Sequence, residues 1–222
     1  VPLSVDDQPQ PLWTRLPLRK GQLLHLGFAR SGQRAYLAVA GGFIAAPVLG
    51  SVSAQLREGL GQAVQAGDLL ACRPAHFTRA ASVPWPYLPD YRCKPLLRVI
   101  TGGDAASFEE DQLQGFFAQT WQLSPHSDRM GARLLGEAVQ PPVRQWSLGV
   151  GRGAIQVPPD GQPIILQADH QSMGGYPLLG WLHPLDQGRL AQCPAHHPLR
   201  FTPVSIGDAQ AELREFYRFF RR

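Results

Sequence analysis

Lysine is nearly absent from this chain, with only Lys20 and Lys94 present. No GxxxxGK[ST] loop occurs either, so no nucleotide is held here by a P-loop. HExxH and Gly-x-Ser-x-Gly are missing, which removes the zinc-protease and elbow-type serine hydrolase readings. Gly41-Gly42 and Gly102-Gly103 each follow an apolar run but do not extend to GxGxxG ahead of a helix, and both read as turns. No apolar run approaches the roughly 18 residues of a membrane span. The opening VPLSVDDQPQ has no basic segment leading into an apolar one, so it is not a secretory signal and a cytoplasmic protein is expected. Cys72, Cys93 and Cys193 are odd in number and far apart, which implies neither a disulfide framework nor a metal site. The adjacent His196-His197 reads as an exposed pair, not as metal ligands.

What is present suits a folded, strand-rich protein. Apolar residues make up 44% of the 222, and the 23 glycines and 21 prolines are dispersed, as in a chain of short strands and turns. The formal charge of +4 comes mostly from scattered arginines. Their one cluster is Arg218, Arg221 and Arg222, and without a basic stripe interleaved with aromatics nucleic-acid binding is excluded. Dispersed arginines instead suit small anionic ligands, which the guanidinium grips with two donors.

Along the first ninety residues short extended runs alternate with turns. Residues 22–26, 34–40 and 68–72 read as strands, the rhythm of a small sandwich or barrel. Residues 74–95 carry Pro74, Pro84, Pro86, Pro89 and Pro95 and read as a stiff linker. The expected domains are therefore 1–92, ending in that linker, and 93–222. In the second, residues 96–100 are a buried strand and 105–118 a helix capped by Asp104 or Thr101. Residues 146–150, 178–182 and 199–204 are further strands. Ser205 and Asp208 resemble a capping box ahead of a terminal helix. Its Ala209, Leu213, Phe216, Tyr217 and Phe220 share one apolar stripe, read most simply as core packing.

The stretch 153–177, GAIQVPPDGQPIILQADHQSMGGYP, carries the candidate chemistry. Pro158-Pro159-Asp160-Gly161 forms a turn, because proline presets φ, Asp bonds the backbone and Gly tolerates positive φ. A four-residue loop makes Gln156 face Pro163 and Ile155 face Ile164. Arg152, Gln156, Gln167 and Asp169 then fall on one polar face. Such a face is either the solvated side of the hairpin or a site. Its continuation through His170, Gln171, Ser172 and the flexible Gly174-Gly175 to Tyr176 favours a site. In that reading Asp169 is a general base or orients a donor. Arg129, in Ser127-Asp128-Arg129-Met130-Gly131, clamps a carboxylate or belongs to a structural Asp–Arg turn. Gln156, Gln167 and Gln171 suit amide recognition, and Tyr176 donates to an oxyanion.

Several strings together resemble the biotin-dependent carboxyltransferase family, also called allophanate hydrolase subunit 2 or KipA-like. They are RAYLAVAGGF (34–43), PVLGSVS (47–53), AGDLL (66–70), LRVITGG (97–103), SDRMGARLLG (127–136), the 153–177 stretch, RLAQ (189–192) and RFTPVS (200–205). The resemblance implies a mainly β fold of two barrel-like subdomains, the second cyclophilin-like, with one internal helix and a C-terminal helix. From the residue reading above, the expected site has Asp169 and Arg129 as catalytic residues and Gln156, Gln167, Gln171, Gly174, Gly175 and Tyr176 as substrate contacts, with no metal.

The family includes the C component of ATP-dependent 5-oxoprolinase. There, a KipI-like (allophanate hydrolase subunit 1-like) and a LamB/YcsF-like subunit help convert 5-oxo-L-proline to L-glutamate, ATP being a substrate of the complex. The alternatives are the biotin-dependent carboxyltransferase component of a urea carboxylase, or a non-catalytic regulator binding a KipI-like kinase inhibitor. Relative to the family pattern, a front stretch with TVQDxGR-like and SGAMD-like motifs is missing, so the first subdomain is expected to be incomplete. Leu148 replaces a carboxylate, His170 an Arg, Met173 a Thr and Leu178 a Lys, and these losses touch the proposed site.

Overall fold

The computed structural model describes residues 1–76, 79–92 and 94–220. Cys93, part of the expected linker and Arg221-Arg222 lie outside them. The chain divides into two compact units, one of residues 1–30 and 34–89, the other of residues 31–33 and 90–222.

The first unit is built of short pieces. Strands β1 (Leu3–Val5), β2 (Gln8–Gln10), β3 (Thr14–Arg15), β4 (Leu24–Leu26) and β5 (Ala81–Ser82) form a three-stranded sheet ordered β2-β1-β4 and a β3-β5 pair. Asp6 and Asp7 turn the β1–β2 hairpin at positive φ. The Leu23 N–H and the Gln22 amide both donate to the Asp6 carboxylate, holding its pKa below the ordinary value. Residues 34–40 and 68–72, read from the sequence as strands, join no sheet; their vicinity has only an isolated bridge between Phe43 and Cys72. Val5 is the one buried hydrophobic side chain among the described residues of this unit.

The second unit is a closed seven-stranded barrel. Its strands are β6 (Leu96–Thr101), β7 (Trp121–Leu123), β8 (Gly131–Leu135), β10 (Ala154–Gln156), β11 (Ile164–Leu166), β13 (Leu178–Leu182) and β14 (Pro198–Pro203), ordered β10-β11-β8-β7-β14-β6-β13. Only the β14–β6 pair is parallel. Alternation sends Leu97 and Val99 of β6, Trp121 and Leu123 of β7, and Leu199 and Phe201 of β14 into one interior. A separate ribbon pairs β9 (Leu148–Gly149) with β12 (Met173–Gly174).

Three helices accompany the barrel: α1 (Glu110–Ala118), α2 (Pro184–Leu190) and α3 (Ile206–Phe220). The helix expected over 105–118 divides into a 3-10 turn (Ala105–Ser107) and α1, whose N-cap is Glu109. On α1, Phe116 stacks on Phe201, ring centroids 5.0 Å apart, and its carbonyl accepts from Trp121 Nε1. Helix α2 was not expected. It is short and opens on Pro184 at its first position, with the His183 ring accepting from the Leu185 N–H. The capping box at α3 is present: Ser205 Oγ accepts from the Asp208 N–H and donates to its carboxylate.

The apolar stripe of α3 is only partly core. Ala209 is buried and Leu213 half-buried, but Phe216 and Tyr217 are exposed. An ionic cluster centred on the buried Asp186 ties α3 and α2 to β6. Arg98 holds Asp186 with its Nε and Nη2 at 2.8 and 2.7 Å and also pairs with Glu212. Among the described residues, no helix is long and apolar enough to cross a membrane.

Candidate functional site

The hairpin that carries most of the candidate residues forms one residue out of the expected register. Ile155 pairs with Ile165 and Gln156 with Ile164, where the four-residue loop required Ile164 and Pro163. The turn itself is as read: the Gly161 N–H donates to the Pro158 carbonyl, Asp160 accepts from Gln162 N–H, and Gly161 sits at φ 72°. The difference lies beside it. Pro163 has no N–H for the ladder, and the Val157 N–H turns to the Pro177 carbonyl across the other edge. The loop therefore spans 157–163.

A slip of one residue exchanges the faces of a strand. Ile155, Val157 and Ile165 line the barrel interior, while Ala154, Ile164 and Leu166 form a second apolar cluster with Leu178, Leu148, Val150 and Trp181. Gln156 lies on this second side and is 1% exposed. The expected continuous polar face of Arg152, Gln156, Gln167 and Asp169 does not form. Leu148, standing at the family's carboxylate position, packs into the second cluster.

The remaining candidates fall into two groups. In one, Arg129 and Asp169 form a two-point pair, Nε–Oδ2 2.6 Å and Nη2–Oδ1 2.8 Å. The two loops are laced together next to it, since the Asp169 N–H donates to the Arg129 carbonyl and the Gln167 N–H to the Met130 carbonyl. Asp128 is the turn former, accepting from the Met130 and Gly131 N–H groups, so Arg129 is left to reach across to Asp169. The Arg129 side chain is 59% exposed and that of Asp169 14%. Gln167 bonds the Ile165 carbonyl.

In the other group, Gln171 Nε2 donates to Gln156 Oε1 at 3.4 Å. Gly174 lies against the Gln156 amide so closely that a Cβ would collide with Nε2. A side chain at 174 would therefore push the Gln156 amide aside, and neither Gly174 nor Gly175 takes a positive φ. Tyr176 is 44% exposed. Its carbonyl accepts from Arg144 Nη1, which also binds Asp104 Oδ2 at 2.7 Å. Asp104 in turn accepts from the Leu178 N–H. Sequence reading missed Arg144 and took Asp104 for a helix cap. Nothing local marks Arg144 in PPVRQW as buried, because the contact that draws it inward comes from forty residues away.

The fold and the β-rich barrel place this chain among carboxyltransferase-type domains. It belongs to the family described as carboxyltransferase domain, subdomain A and B, whose model matches residues 1–203. It is 34% identical to the C component of 5-oxoprolinase from Haemophilus influenzae, over 96% of this chain and 69% of that protein. The same component from Escherichia coli is also 34% identical, covering 95% of this chain and 70% of that one. Among solved structures, TTHA0988 superposes with a TM-score of 0.79 at 30% identity, over 90% of this chain but 39% of that one. The Kluyveromyces lactis urea amidolyase shares the fold, with a TM-score of 0.83 at 22% identity, over 94% of this chain and 14% of that protein.

Proposed function

We propose that this chain is a subunit of an ATP-dependent 5-oxoprolinase, acting with a KipI-like and a LamB/YcsF-like subunit to open 5-oxo-L-proline to L-glutamate. The observation that carries the reading is the 34% identity to the C component of 5-oxoprolinase over nearly the whole of this chain. The chemistry available here suits recognition more than nucleotide binding. Arginine forks and neutral amides are present on loops beside a barrel, and no phosphate-cradling lysine loop occurs in the sequence. ATP is accordingly a substrate of the assembled complex. Its terminal phosphoryl group passes to the lactam oxygen; water then adds at the ring carbon and the C–N bond breaks, the nitrogen taking up a proton, to leave an acyl phosphate that a second water hydrolyses to the side-chain carboxylate of glutamate and free phosphate.

In this reading Asp169, held in place by Arg129, orients or deprotonates a reacting group at the loop surface, and Gln171 contributes an amide contact. The test combines the chain with its partners, ATP and 5-oxoproline and follows glutamate release. Release should require this chain, and equal release with and without it would overturn the proposal. Arg129→Ala and Asp169→Asn should each lower turnover on the order of tenfold or more while the complex still assembles on a sizing column. Leu148, His170 and Met173 give a second reading a foothold: a chain that binds the KipI-like partner yet supports no release is a regulator.

A further inference from the structure

Three arginines of the barrel unit, Arg98, Arg129 and Arg144, differ in how their guanidinium groups are used. Arg98 presents Nε and Nη2 side by side to Asp186, and Arg129 presents the same edge to Asp169. This edge matches the spacing of two carboxylate oxygens, so each pair is a parallel, two-bond grip. Arg144 differs. Its Nη1 is engaged by Asp104 and the Tyr176 carbonyl, while Nε and Nη2 are buried with no hydrogen-bond partner among the described residues. The side chain is only 3% exposed, although it comes from a segment without regular structure whose Val143 and Trp146 are 89% and 63% exposed.

Burying a guanidinium with three N–H bonds unmet is unfavourable, and such donors are nearly always satisfied in folded proteins. Guanidinium nitrogens are donors only, so no reassignment of atoms relieves the deficit. We infer that the Nε/Nη2 edge of Arg144 is a binding site for the carboxylate of a small molecule, formed between Trp146 and the 171–176 segment. The geometry of the edge selects a planar pair of oxygens. The charge already present selects a monoanion: Asp104 balances Arg144, and a phosphate dianion would meet more repulsion from that carboxylate. The cover is light. The Trp146 ring, 5.8 Å from the guanidinium carbon, is mostly in solvent. Gln156 Nε2, also buried and without a partner, adjoins the same segment at Gly174. The inference holds for any carboxylate ligand and does not depend on the 5-oxoprolinase reading.

The test follows the Nε–H signal of Arg144 by nitrogen-resolved NMR of the full chain, with the signal assigned by its loss in Arg144→Lys. Acetate and 5-oxo-L-proline should each shift it saturably, while urea and inorganic phosphate at equal concentration leave it in place. Arg144→Lys keeps the charge beside Asp104 but loses the fork, and should weaken carboxylate binding on the order of tenfold or more, as read by calorimetry. No shift with either carboxylate overturns the inference. So does an equal shift with urea or phosphate, or an equal response at the Arg98 and Arg129 signals. Should the lysine variant fail to fold, the selectivity of the wild-type signal decides, assigned by arginine-specific labelling and its contacts to Trp146.

Discussion

Phe28, Leu49 and Leu69 of the first unit are 98, 92 and 98% exposed, whereas Leu97, Trp121, Ile155, Leu179 and Leu199 of the barrel are wholly hidden. The residue types are much alike, so composition does not account for the contrast. Closure does. In the barrel every strand has a neighbour on both sides, and the interior is walled by inward side chains. In the first unit the sheets have two or three strands, and such small sheets hide little apolar surface. An alternating run becomes a strand only where a partner's unpaired edge is available.

The contrast is tested most severely by truncating one aromatic in each unit. Trp121→Ala should destabilise the barrel by about 3–5 kcal/mol, and Phe28→Ala should stay within about 0.5 kcal/mol. Urea unfolding of the two variants checks this, and equal losses would break the comparison. Next in size, Asp186→Ala should cost about 3 kcal/mol, because it leaves Arg98 partly buried without its main partner. The same unfolding curves measure it.

Histidine 183 sharpens the point by acidity. It is fully buried, its Nδ1 accepts from the Leu185 N–H, and Nε2 therefore carries the proton that meets the Ala209 carbonyl. Burial and then the nearby Arg98 push its pKa below 6.5, while the Ala209 contact and Asp186 oppose them. Above 6.5 the ring is neutral in both the folded and unfolded chain. Below it the unfolded chain takes up a proton that the folded one refuses, so stability falls as the pH drops toward the native value. His183→Asn should flatten that part of a thermal-melting profile against pH, and an unchanged slope would assign the acid sensitivity elsewhere. The smallest effect on stability is expected from replacing Phe28, Leu49 and Leu69 together by Ser. It should leave barrel unfolding almost unchanged yet reduce binding of a hydrophobic dye to the native chain, and undiminished dye binding would place the accessible apolar surface in the barrel unit.

Much of the architecture was legible because it depends on near neighbours. The runs at 96–100, 178–182 and 199–204 read as strands from their apolar content, and the Ser205–Asp208 capping box from a spacing of three. Helix α2 escaped notice because its seven residues, PLDQGRL, include a proline and a glycine and offer no two-turn periodicity. Of the candidate site, the Arg129–Asp169 pair joins two residues singled out from local composition, but their meeting across forty positions was not readable. The turn at 158–161 is local chemistry, whereas the hairpin register also depends on Pro163, whose missing N–H shifts the flanking ladder by one residue.

By itself, then, the amino-acid order determined what short-range physics decides: the proline–glycine turn at 158–161, the β character, the helix cap at Ser205, and the motif series shared with carboxyltransferase domains. Tertiary structure alone decided which side of β11 looks inward, that Gln156 is buried under Gly174, and that the Arg144 side chain is drawn inside by Asp104 and the Tyr176 carbonyl. A side chain's face and partner depend on strand pairing and ladder closure over distances of tens of residues, and no local pattern encodes them.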